Sequence, residues 1–423
     1  MRVLVVGGGG REHALASALA RDPSVDQVLA APGNAGIDEV ARCVPVEATD
    51  IEGIVDLVEA DSIGLTVVGP EAPLVAGLVD ALEERGHRAF GPTAAGARIE
   101  GSKAWAKELL LRHGIPTGRA EITDDVTRAV MLLDTFEPPW VIKADGLAAG
   151  KGVVVTADRR EAVAALESML VDRAFGSAGD RILIEEHLEG REVSVLALTD
   201  GRAVLPLEPA RDHKRAFDGD RGPNTGGMGA FSPVPEVDEA TRRRIAADIL
   251  EPTVEVMTAA GVTYRGVLYA GLILTGEGPK VLEFNARFGD PEAQAVLPRL
   301  EADLVGLLMA CVEGRLGEIK ITWSPEACVT VVLASGGYPG EHRTGAPIEG
   351  LEEAGKSDRV AVFHAGTARR DGRVVTAGGR VLAVSALGAD LAEARAHAYG
   401  AASLISFEGL HRRADIALEA AGG

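Results

Sequence analysis

Residues 283–287 carry three side chains, at alternate positions, that suit phosphate chemistry. Two apolar runs flank residues 275–279, a connection rich in glycine and proline, and this pattern predicts a β-hairpin. Alternation along the second strand places Glu283 and Asn285 on one face and Phe284 on the other. Carboxylate and amide oxygens are hard donors that Mg²⁺ takes together with phosphate oxygens, so this pair is a candidate metal site. The alternative is an edge strand with solvated charges.

A dense polar turn follows this strand. Arg287 lies on the same side as the candidate metal pair, and its planar fork suits a phosphate or a carboxylate. Gly289 and Pro291 then bend the chain and present Asp290 and Glu292. Such a cluster directly after an apolar strand favours a binding site over a plain solvated edge.

The composition limits the function classes. The 423 residues predict about two to four domains, and a hydrophobic content of 46% fits a globular α/β protein. The net charge of −20 argues against a nucleic-acid partner, so an anionic substrate would need a local concentration of positive charge. Three cysteines without metal-ligand spacing, and no apolar span of about 18 residues, predict a cytoplasmic protein with no membrane partner.

The N-terminal region shows the strand, loop, helix, strand order of a doubly wound parallel sheet. Predicted strands at 2–6, 25–31 and 65–68 each end in a glycine-rich turn, where ligands bind in such sheets. The first turn, Gly7–Gly10, lacks the G-x-G-x-x-G spacing, because the third glycine would fall on an acidic residue or a histidine. Backbone N–H groups at this helix start still suit a phosphate, and a purely structural turn is the alternative.

A hairpin that carries lysines is predicted over residues 140–155. Lys143 lies at the end of its first strand, and Lys151 lies in the loop between Gly150 and Gly152. The loop is not a Walker loop, because glycine replaces the Ser/Thr after the lysine and a strand follows instead of a helix. A Gly/Ala hairpin of this kind can close over nucleotide phosphates, and a plain exposed hairpin is the alternative.

Residues 181–195 predict a buried strand that runs into acidic residues, turns at Gly190 and re-enters a strand. Backbone groups at such a crossing can pair with an adenine edge, and a nearby carboxylate can accept from ribose hydroxyls. The alternative is a crossover with solvated acids. Residues 210–229 form the longest irregular stretch, and its basic residues and glycines suit a small anion.

The remaining chain predicts two long helices and a separate block of strands. The helices are expected at 239–260 and 293–311, on either side of the opening hairpin. After Trp323 come four predicted strands and a last helix at 391–405, which is typical of a small α+β domain.

A series of motifs, in the same order, resembles the phosphoribosylamine–glycine ligases (glycinamide ribonucleotide synthetases), which have the ATP-grasp fold. The resemblance covers essentially the whole chain, and the turn Arg287–Glu292 is its most specific part. The motifs are Gly7–His13, Pro32–Gly36, Lys143–Gly152, Asp212–Arg215, Pro223–Gly229, Arg287–Glu292, Phe363–Thr367 and Thr376–Leu382.

The resemblance implies an α/β architecture in three parts. A doubly wound, Rossmann-like substrate domain is expected at 1–101, and an ATP-grasp domain with two α+β lobes at 102–325. Its mobile lid lobe is expected near 122–190, and a small α+β domain at 326–423.

The resemblance also implies a reaction. ATP, glycine and 5-phosphoribosylamine would give glycinamide ribonucleotide, ADP and phosphate through glycyl phosphate, in de novo purine biosynthesis. A carboxylate is a poor acyl donor, and phosphorylation supplies a good leaving group. The expected cofactor is Mg²⁺ or Mn²⁺ with ATP as co-substrate, and the expected partners are these small molecules, with the protein a monomer.

Residue roles follow from the resemblance position by position. Arg287 and Lys143 are expected to act in catalysis, and Glu283 and Asn285 as metal ligands. A strand neighbouring the metal pair often brings a further carboxylate in ATP-grasp enzymes, but residues 269–273 offer none. The expected ATP contacts are Lys103, Lys143, Gly150, Lys151, Gly152, Glu185, Glu186, Leu188 and Glu192. The expected glycine and phosphoribosylamine contacts are Gly9, Gly10, Asp212, Lys214, Asn224, Gly226, Arg287, Asp290 and Glu292.

Two other readings compete with this one. Another ATP-grasp carboxylate ligase, such as a carboxylase or a formate-using transformylase, would share the nucleotide site. A non-catalytic nucleotide sensor would bind ATP without turnover, but Lys143, Glu283, Asn285 and Arg287 together argue against it.

Overall fold

The N-terminal part of the chain forms a parallel sheet, in a computed structural model that describes residues 1–148 and 152–422. The strand order is β3-β2-β1-β4-β5, and every pairing is parallel. The central strands are buried on both faces, which explains their continuous apolar sequence. The elements are β1 (Arg2–Gly7), α1 (Gly10–Ala20), β2 (Gln27–Pro32), β3 (Arg42–Cys43), α2 (Ile51–Ala60), β4 (Leu65–Val68), α3 (Glu71–Val75), α4 (Leu78–Glu84), β5 (Ala89–Phe90) and α5 (Ala94–Gly101).

The next segment builds an antiparallel sheet with its own hydrophobic core. The strand order is β6-β9-β7-β8, and a buried cluster that includes Trp140, Leu166 and Ile184 packs beneath it. The predicted lysine hairpin is the pair β7–β8, although Gly150 and Lys151 lie outside the described residues. The elements are α6 (Lys103–His113), β6 (Ala120–Thr123), α7 (Val126–Leu132), β7 (Trp140–Ala144), β8 (Val153–Thr156), α8 (Arg159–Leu170) and β9 (Ile182–Glu185).

A second antiparallel sheet, in the order β11-β10-β16-β17, contains the hairpin predicted around residues 275–279. The elements of this part of the chain are β10 (Arg191–Thr199), β11 (Val204–Pro206), β12 (Arg211–Asp212), β13 (Arg215–Phe217), β14 (Arg221–Asn224), β15 (Gly229–Ser232), α9 (Glu239–Ile245), α10 (Glu251–Ala259), β16 (Gly266–Thr275), β17 (Gly278–Asn285), α11 (Glu292–Val296) and α12 (Leu304–Glu313).

Both predicted long helices are interrupted. A π-helical turn at Ala246–Leu250 separates α9 from α10. The predicted helix at 293–311 was wrong as a single element, because it breaks into α11 and α12 with a 3₁₀ turn at Leu297–Arg299 between them. Pro298 lies in that turn, and proline lacks the N–H that a continuing helix needs.

The last sheet, in the order β12-β15-β18-β22-β19, joins distant parts of the chain. Its strands β12 and β15 come from the stretch that was predicted to be irregular. That prediction was wrong, because four short strands lie there. Those strands are two to four residues long, too short for a clear alternating pattern. The remaining elements are β18 (Ala327–Ala334), α13 (Leu351–Ala354), β19 (Val360–His364), β20 (Thr367–Arg370), β21 (Arg373–Thr376), β22 (Arg380–Gly388) and α14 (Leu391–Ala402).

The fold class predicted from sequence, an α/β chain with a parallel N-terminal sheet and antiparallel sheets after it, is confirmed. The exact division at residues 101 and 325 stays a prediction. Within the described ranges, none of the helices is both long enough and apolar enough to cross a membrane.

The buried strand β1 should contribute strongly to stability. Leu4 is fully buried in the core, whereas Leu404 is 49% exposed. We expect Leu4→Ala to lower the free energy of unfolding by about 2–5 kcal/mol through lost burial and a cavity. Leu404→Ala should change it by less than about 0.5 kcal/mol. Urea unfolding followed by circular dichroism measures both, and equal costs would contradict the assigned core.

Candidate active site

A cavity of about 610 Å³ lies where the parallel sheet, both antiparallel sheets and the C-terminal sheet approach one another. Most of the predicted site residues meet on its wall, although they come from distant parts of the sequence. The predicted residues that line it are Lys103, Lys143, Gly152, Glu185, Asp212, Lys214, Asn224, Gly226, Glu283, Asn285, Arg287, Asp290 and Glu292.

The strand β17 presents the candidate metal pair with the help of a β-bulge. Glu283 pairs with Gly271 but Val281 pairs with Leu272, so Leu282 is the extra residue of the bulge. The Leu282 carbonyl accepts a hydrogen bond from Lys143 Nζ at 3.0 Å. The bulge therefore connects the strand of the metal pair to the strand β7 of the other antiparallel sheet.

Two lysines share the buried carboxylate of Glu185. Lys143 Nζ lies 3.1 Å and Lys107 Nζ lies 3.3 Å from Glu185 Oε2. The sequence argument missed Lys107, although its place four residues after Lys103 puts both on one face of α6. The Glu185 side chain therefore balances the charge of both lysines.

Positive charge surrounds Glu283. Burial raises the pKa of Glu283, but Lys214, Lys143 and Lys103 outweigh it and hold the pKa below its usual value. Burial also lowers the pKa of Lys103, against the attraction of Glu283. Glu283 is thus kept ionised, as a metal ligand must be.

Arg287 is held between two acidic residues that the sequence argument missed. Its Nη2 lies 3.0 Å from Glu100 Oε1, and its Nε donates to Glu71 Oε2 at 3.3 Å. Glu100 Oε2 accepts from the Ala286 N–H at 2.7 Å. Burial lowers the pKa of Arg287, but Glu100 and Glu71 outweigh it and raise the pKa. The guanidinium is a fixed cation at the cavity wall.

A second acidic group lies around Glu292. Glu292 Oε1 accepts hydrogen bonds from the Tyr269 hydroxyl and from Ser194 Oγ, the latter at 3.3 Å. Asp212 lies near this carboxylate, and burial raises the pKa of Asp212 to about 7, although Lys214 opposes the shift. Lys214 Nζ pairs with Glu192 Oε2 at 2.9 Å. These carboxylates can hold an ammonium group, and Asp212 can take up a proton.

Asp290 belongs to a network with the C-terminal sheet. Its Oδ2 lies 3.0 Å from Arg380 Nη2, and its Oδ1 accepts from Gln294 Nε2 at 2.7 Å. The Gly226 N–H donates to the Tyr338 hydroxyl at 3.0 Å. In the sequence analysis Arg380 falls within the motif Thr376–Leu382 without a role of its own, and no role was predicted for Tyr338.

The Gly7–Gly10 turn is filled by an acidic side chain. The Gly9 N–H donates to Glu12 Oε2 at 2.7 Å, so a phosphate would have to compete for this donor. A Cβ on Gly69 would lie 2.1 Å from Glu12 Oε1, which explains the need for glycine there. Gly9 and Gly10 border Asp290 but do not belong to the cavity wall formed by the described residues.

Three of the expected nucleotide contacts lie away from the wall. Glu186, Leu188 and Glu192 do not line the cavity as the described residues define it. The Glu186 N–H donates to the Arg119 carbonyl at 3.1 Å, and Glu186 Oε1 accepts from the Arg119 N–H at 2.8 Å. The Glu186 N–H is therefore engaged within the protein, and the roles of these three residues stay predictions.

The donor set at Glu283 and Asn285 fits Mg²⁺ held jointly with a substrate. No group of three or more His, Cys, Asp or Glu able to hold a metal occurs among residues 1–148 and 152–422. Mg²⁺ usually keeps several waters and binds through one or two protein oxygens plus substrate phosphates. Arg287 Nη2 donates to Asn285 Oδ1 at 3.3 Å, and an amide oxygen has a second lone pair for a metal.

Two antiparallel sheets that meet at a lysine-rich cavity, with a carboxylate–amide pair on one strand, define the class of ATP-grasp enzymes. Three family models match the chain: "Phosphoribosylglycinamide synthetase, N domain" at residues 1–100, its "ATP-grasp (A) domain" at 101–293 and its "C domain" at 328–419. The chain belongs to the phosphoribosylglycinamide synthetase family.

Individual relatives agree with this assignment. The chain is 51% identical to the phosphoribosylamine–glycine ligase of Streptomyces coelicolor over 425 residues, covering 100% of both chains. It is 50% identical to that of Pseudomonas aeruginosa, covering 99% of this chain and 98% of the relative. The solved Thermotoga maritima phosphoribosylamine–glycine ligase is 34% identical, with a TM-score of 0.85 over 98% of this chain and 100% of that one.

A more distant structure shares the fold alone. The biotin carboxylase domain of Hydrogenobacter thermophilus 2-oxoglutarate carboxylase has a TM-score of 0.75 at 17% identity. It covers 97% of this chain and 91% of that one.

The Asp212 carboxyl should make stability depend on pH. Its folded-state pKa is raised from 3.8 to about 7, so its contribution is fully present below pH 3.8 and is lost as pH rises through about 7. Asp212→Asn removes this titration. We therefore expect the melting temperature of the variant, relative to that of the wild type, to be higher at pH 8 than at pH 5. Thermal unfolding at both pH values measures the difference.

The exposed Asp56 provides the matched control for this measurement. Water solvates its side chain before and after unfolding, so Asp56→Asn should show the same difference from wild type at both pH values. A constant difference for Asp212→Asn as well would contradict the raised pKa.

Proposed function

We propose that the protein is an ATP-dependent ligase that joins glycine to 5-phosphoribosylamine in de novo purine biosynthesis. The products are glycinamide ribonucleotide, ADP and phosphate. One observation carries this proposal: Lys103, Lys143 and Arg287 meet the pair Glu283 and Asn285 at one cavity, in a chain of net charge −20. Family membership and near 50% identity to phosphoribosylamine–glycine ligases over the full length support the choice of substrates.

The first step is phosphoryl transfer to glycine. The glycine carboxylate forms a bond to the γ-phosphorus, the bond from that phosphorus to the β,γ-bridging oxygen breaks, and ADP leaves. Catalysis of this kind depends mainly on positioning and charge stabilisation. Lys103 and Lys143 neutralise the phosphates, and Arg287 stabilises the glycyl phosphate as it forms.

The second step is acyl transfer to the sugar amine. The amine nitrogen of 5-phosphoribosylamine bonds to the acyl carbon, the bond from that carbon to the phosphate oxygen breaks, and phosphate leaves. The nitrogen also loses a proton, which the departing phosphate takes up, and we propose that the carboxylates of Asp212 and Glu292 hold charge on the amines. The cationic fork of Arg287 stabilises the departing phosphate.

Glu283 and Asn285 would hold the metal, which we propose is Mg²⁺, with Mn²⁺ as the alternative. When bound, it neutralises charge on the triphosphate and on the transferred group. Both residues lie on β17, two positions apart, and both line the cavity.

We assign each substrate to one end of the cavity from the charged residues that line that end. We propose that Lys103, Lys143, Gly152 and Glu185 take the nucleotide, together with Gly150, Lys151, Glu186, Leu188 and Glu192. Glycine and phosphoribosylamine then lie toward Gly9, Gly10, Asp212, Lys214, Asn224, Gly226, Asp290 and Glu292. The arginines Arg11 and Arg380, which the sequence argument missed, lie at this second end and suit the sugar phosphate.

We also propose a cytoplasmic monomer with small-molecule partners only. The cysteines at 43, 311 and 328 are free thiols, which suits a reducing compartment. Size-exclusion chromatography with light scattering tests the oligomeric state.

ADP release tests the reaction directly. We expect repeated turnover of ATP to ADP only when glycine and 5-phosphoribosylamine are both present, with glycinamide ribonucleotide formed in equal amount. A panel that includes bicarbonate, formate and other amino acids distinguishes the alternative carboxylate ligases. ADP release with one of those in place of glycine would overturn the assignment, and ATP binding without turnover would indicate a sensor.

Glu283→Ala removes a proposed metal ligand. We expect turnover to fall at least about 100-fold, because charge stabilisation in the transition state is lost, with thermal unfolding unchanged. Glu277→Ala is the matched control, since Glu277 lies at the tip of the same hairpin with a 79% exposed side chain. Initial rates across a Mg²⁺ titration measure the effect, and near-normal activity of Glu283→Ala at low Mg²⁺ would refute the metal role.

A further inference from the structure

The hairpin of β13 and β14 borders the cavity but has little support of its own. In the described part of the chain its two strands pair only with each other. A two-stranded hairpin is at best marginally stable alone in water. Lys214 directly precedes its first strand and Asn224 ends its second, and both line the cavity. The Thr225 N–H closes this end by donating to the Lys214 carbonyl at 2.7 Å.

A short segment near the C-terminus, residues 411–417, provides the missing support. It meets the first strand, β13, and the turn of the hairpin, almost 200 residues away in sequence. The contacts are His411 Nε2 to Ala216 O (2.8 Å), Arg413 Nη1 to Arg215 O (3.0 Å), Ala414 N to Asp218 Oδ1 (2.7 Å) and Gly219 N to Asp415 Oδ2 (2.8 Å).

Arg413 lies at the centre of these contacts and its side chain is only 1% exposed. Its Nη1 donates to Asp220 Oδ1 at 2.7 Å, on the hairpin turn. Its Nε and Nη2 each donate to one oxygen of Asp415 at 2.7 Å, on the C-terminal segment itself. A buried planar fork bonded to both elements fixes their relative position, and a side chain without that fork cannot make both sets of bonds.

We propose that Arg413 is a positioning residue, through which segment 411–417 clamps the β13–β14 hairpin and holds Lys214 and Asn224 at the cavity wall. Arg413 itself does not line the cavity described above. Loss of the clamp therefore displaces two cavity side chains without removing a group that contacts substrate. The kinetic part of this inference rests on the proposed function, whereas the structural part does not.

The test compares Arg413→Met with Arg299→Met. Arg299 is also buried and paired, with Glu208 Oε2 at 3.1 Å, but it makes no contact with the hairpin. In Arg413→Met we expect trypsin to cut the folded protein after Arg215 or Arg221 about tenfold faster, because local opening governs cleavage.

The kinetic readout separates positioning from general destabilisation. KM for glycine or 5-phosphoribosylamine should rise about tenfold in Arg413→Met. KM for ATP should rise less because, among the described residues, the displaced Lys214 contacts the nucleotide side only through Glu192 and Glu283. Arg413→Lys keeps the charge without the fork and should fall between wild type and Arg413→Met. Arg299→Met should lower the melting temperature and leave hairpin cleavage and both KM values unchanged.

A lower melting temperature for Arg413→Met with unchanged cleavage and KM would overturn the proposal and leave Arg413 a purely structural residue. If Arg413→Met does not fold, Asp218→Ala decides, because Asp218 is exposed and its carboxylate accepts a hydrogen bond from the Ala414 N–H of the C-terminal segment. Faster hairpin cleavage and raised KM in Asp218→Ala support the clamp, and unchanged values overturn it. Product formation by the wild-type protein tests the proposed function separately. The trypsin assay tests the clamp even if that function is wrong, because cleavage of the hairpin does not depend on turnover.

Discussion

The ion pairs of Arg287 with Glu71 and Glu100 are the interaction on which the cavity depends. They connect the end of β17 to the N-terminal part of the chain, at 3.3 Å and 3.0 Å. Burying a guanidinium is costly unless anions and hydrogen bonds surround it, so these carboxylates allow a cation to stay where substrate anions must bind. The same contacts fix the chain that follows Asn285, and so orient the metal pair.

Compensated charge recurs throughout the cavity. Glu185 lies between Lys107 and Lys143, and Asp290 lies against Arg380. Groups held in this way need little rearrangement when a charged substrate arrives, which is how enzymes lower the cost of developing charge. A strongly acidic chain can therefore bring seven lysines and arginines to one cavity, because an equal number of carboxylates lines the same wall in the part of the chain that the structure describes.

Distant contacts build the other side of the cavity. One sheet combines strands from residues 211–232 with strands from 327–388, and the C-terminal segment supports the hairpin that carries Lys214. The proposed substrate end of the cavity is therefore formed jointly by the middle and the end of the chain. A change near residue 413 can reach the site because the clamp, the hairpin and the cavity wall are in direct contact.

Residue type and local alternation are properties of short segments. The sequence alone therefore predicted the order of the main strands, the pair Glu283 and Asn285, and the lysine at 143. The roles of Glu71, Glu100, Lys107 and Arg380 could not, because each depends on which remote surfaces meet. The short strands at 211–232 and the bulge at Leu282 were equally hidden. Strands of two to four residues show no clear alternating pattern, and a bulge shifts the pairing register of a hairpin without a signal in residue type. Pattern identifies which groups can do chemistry, and long-range packing decides which of them face one another.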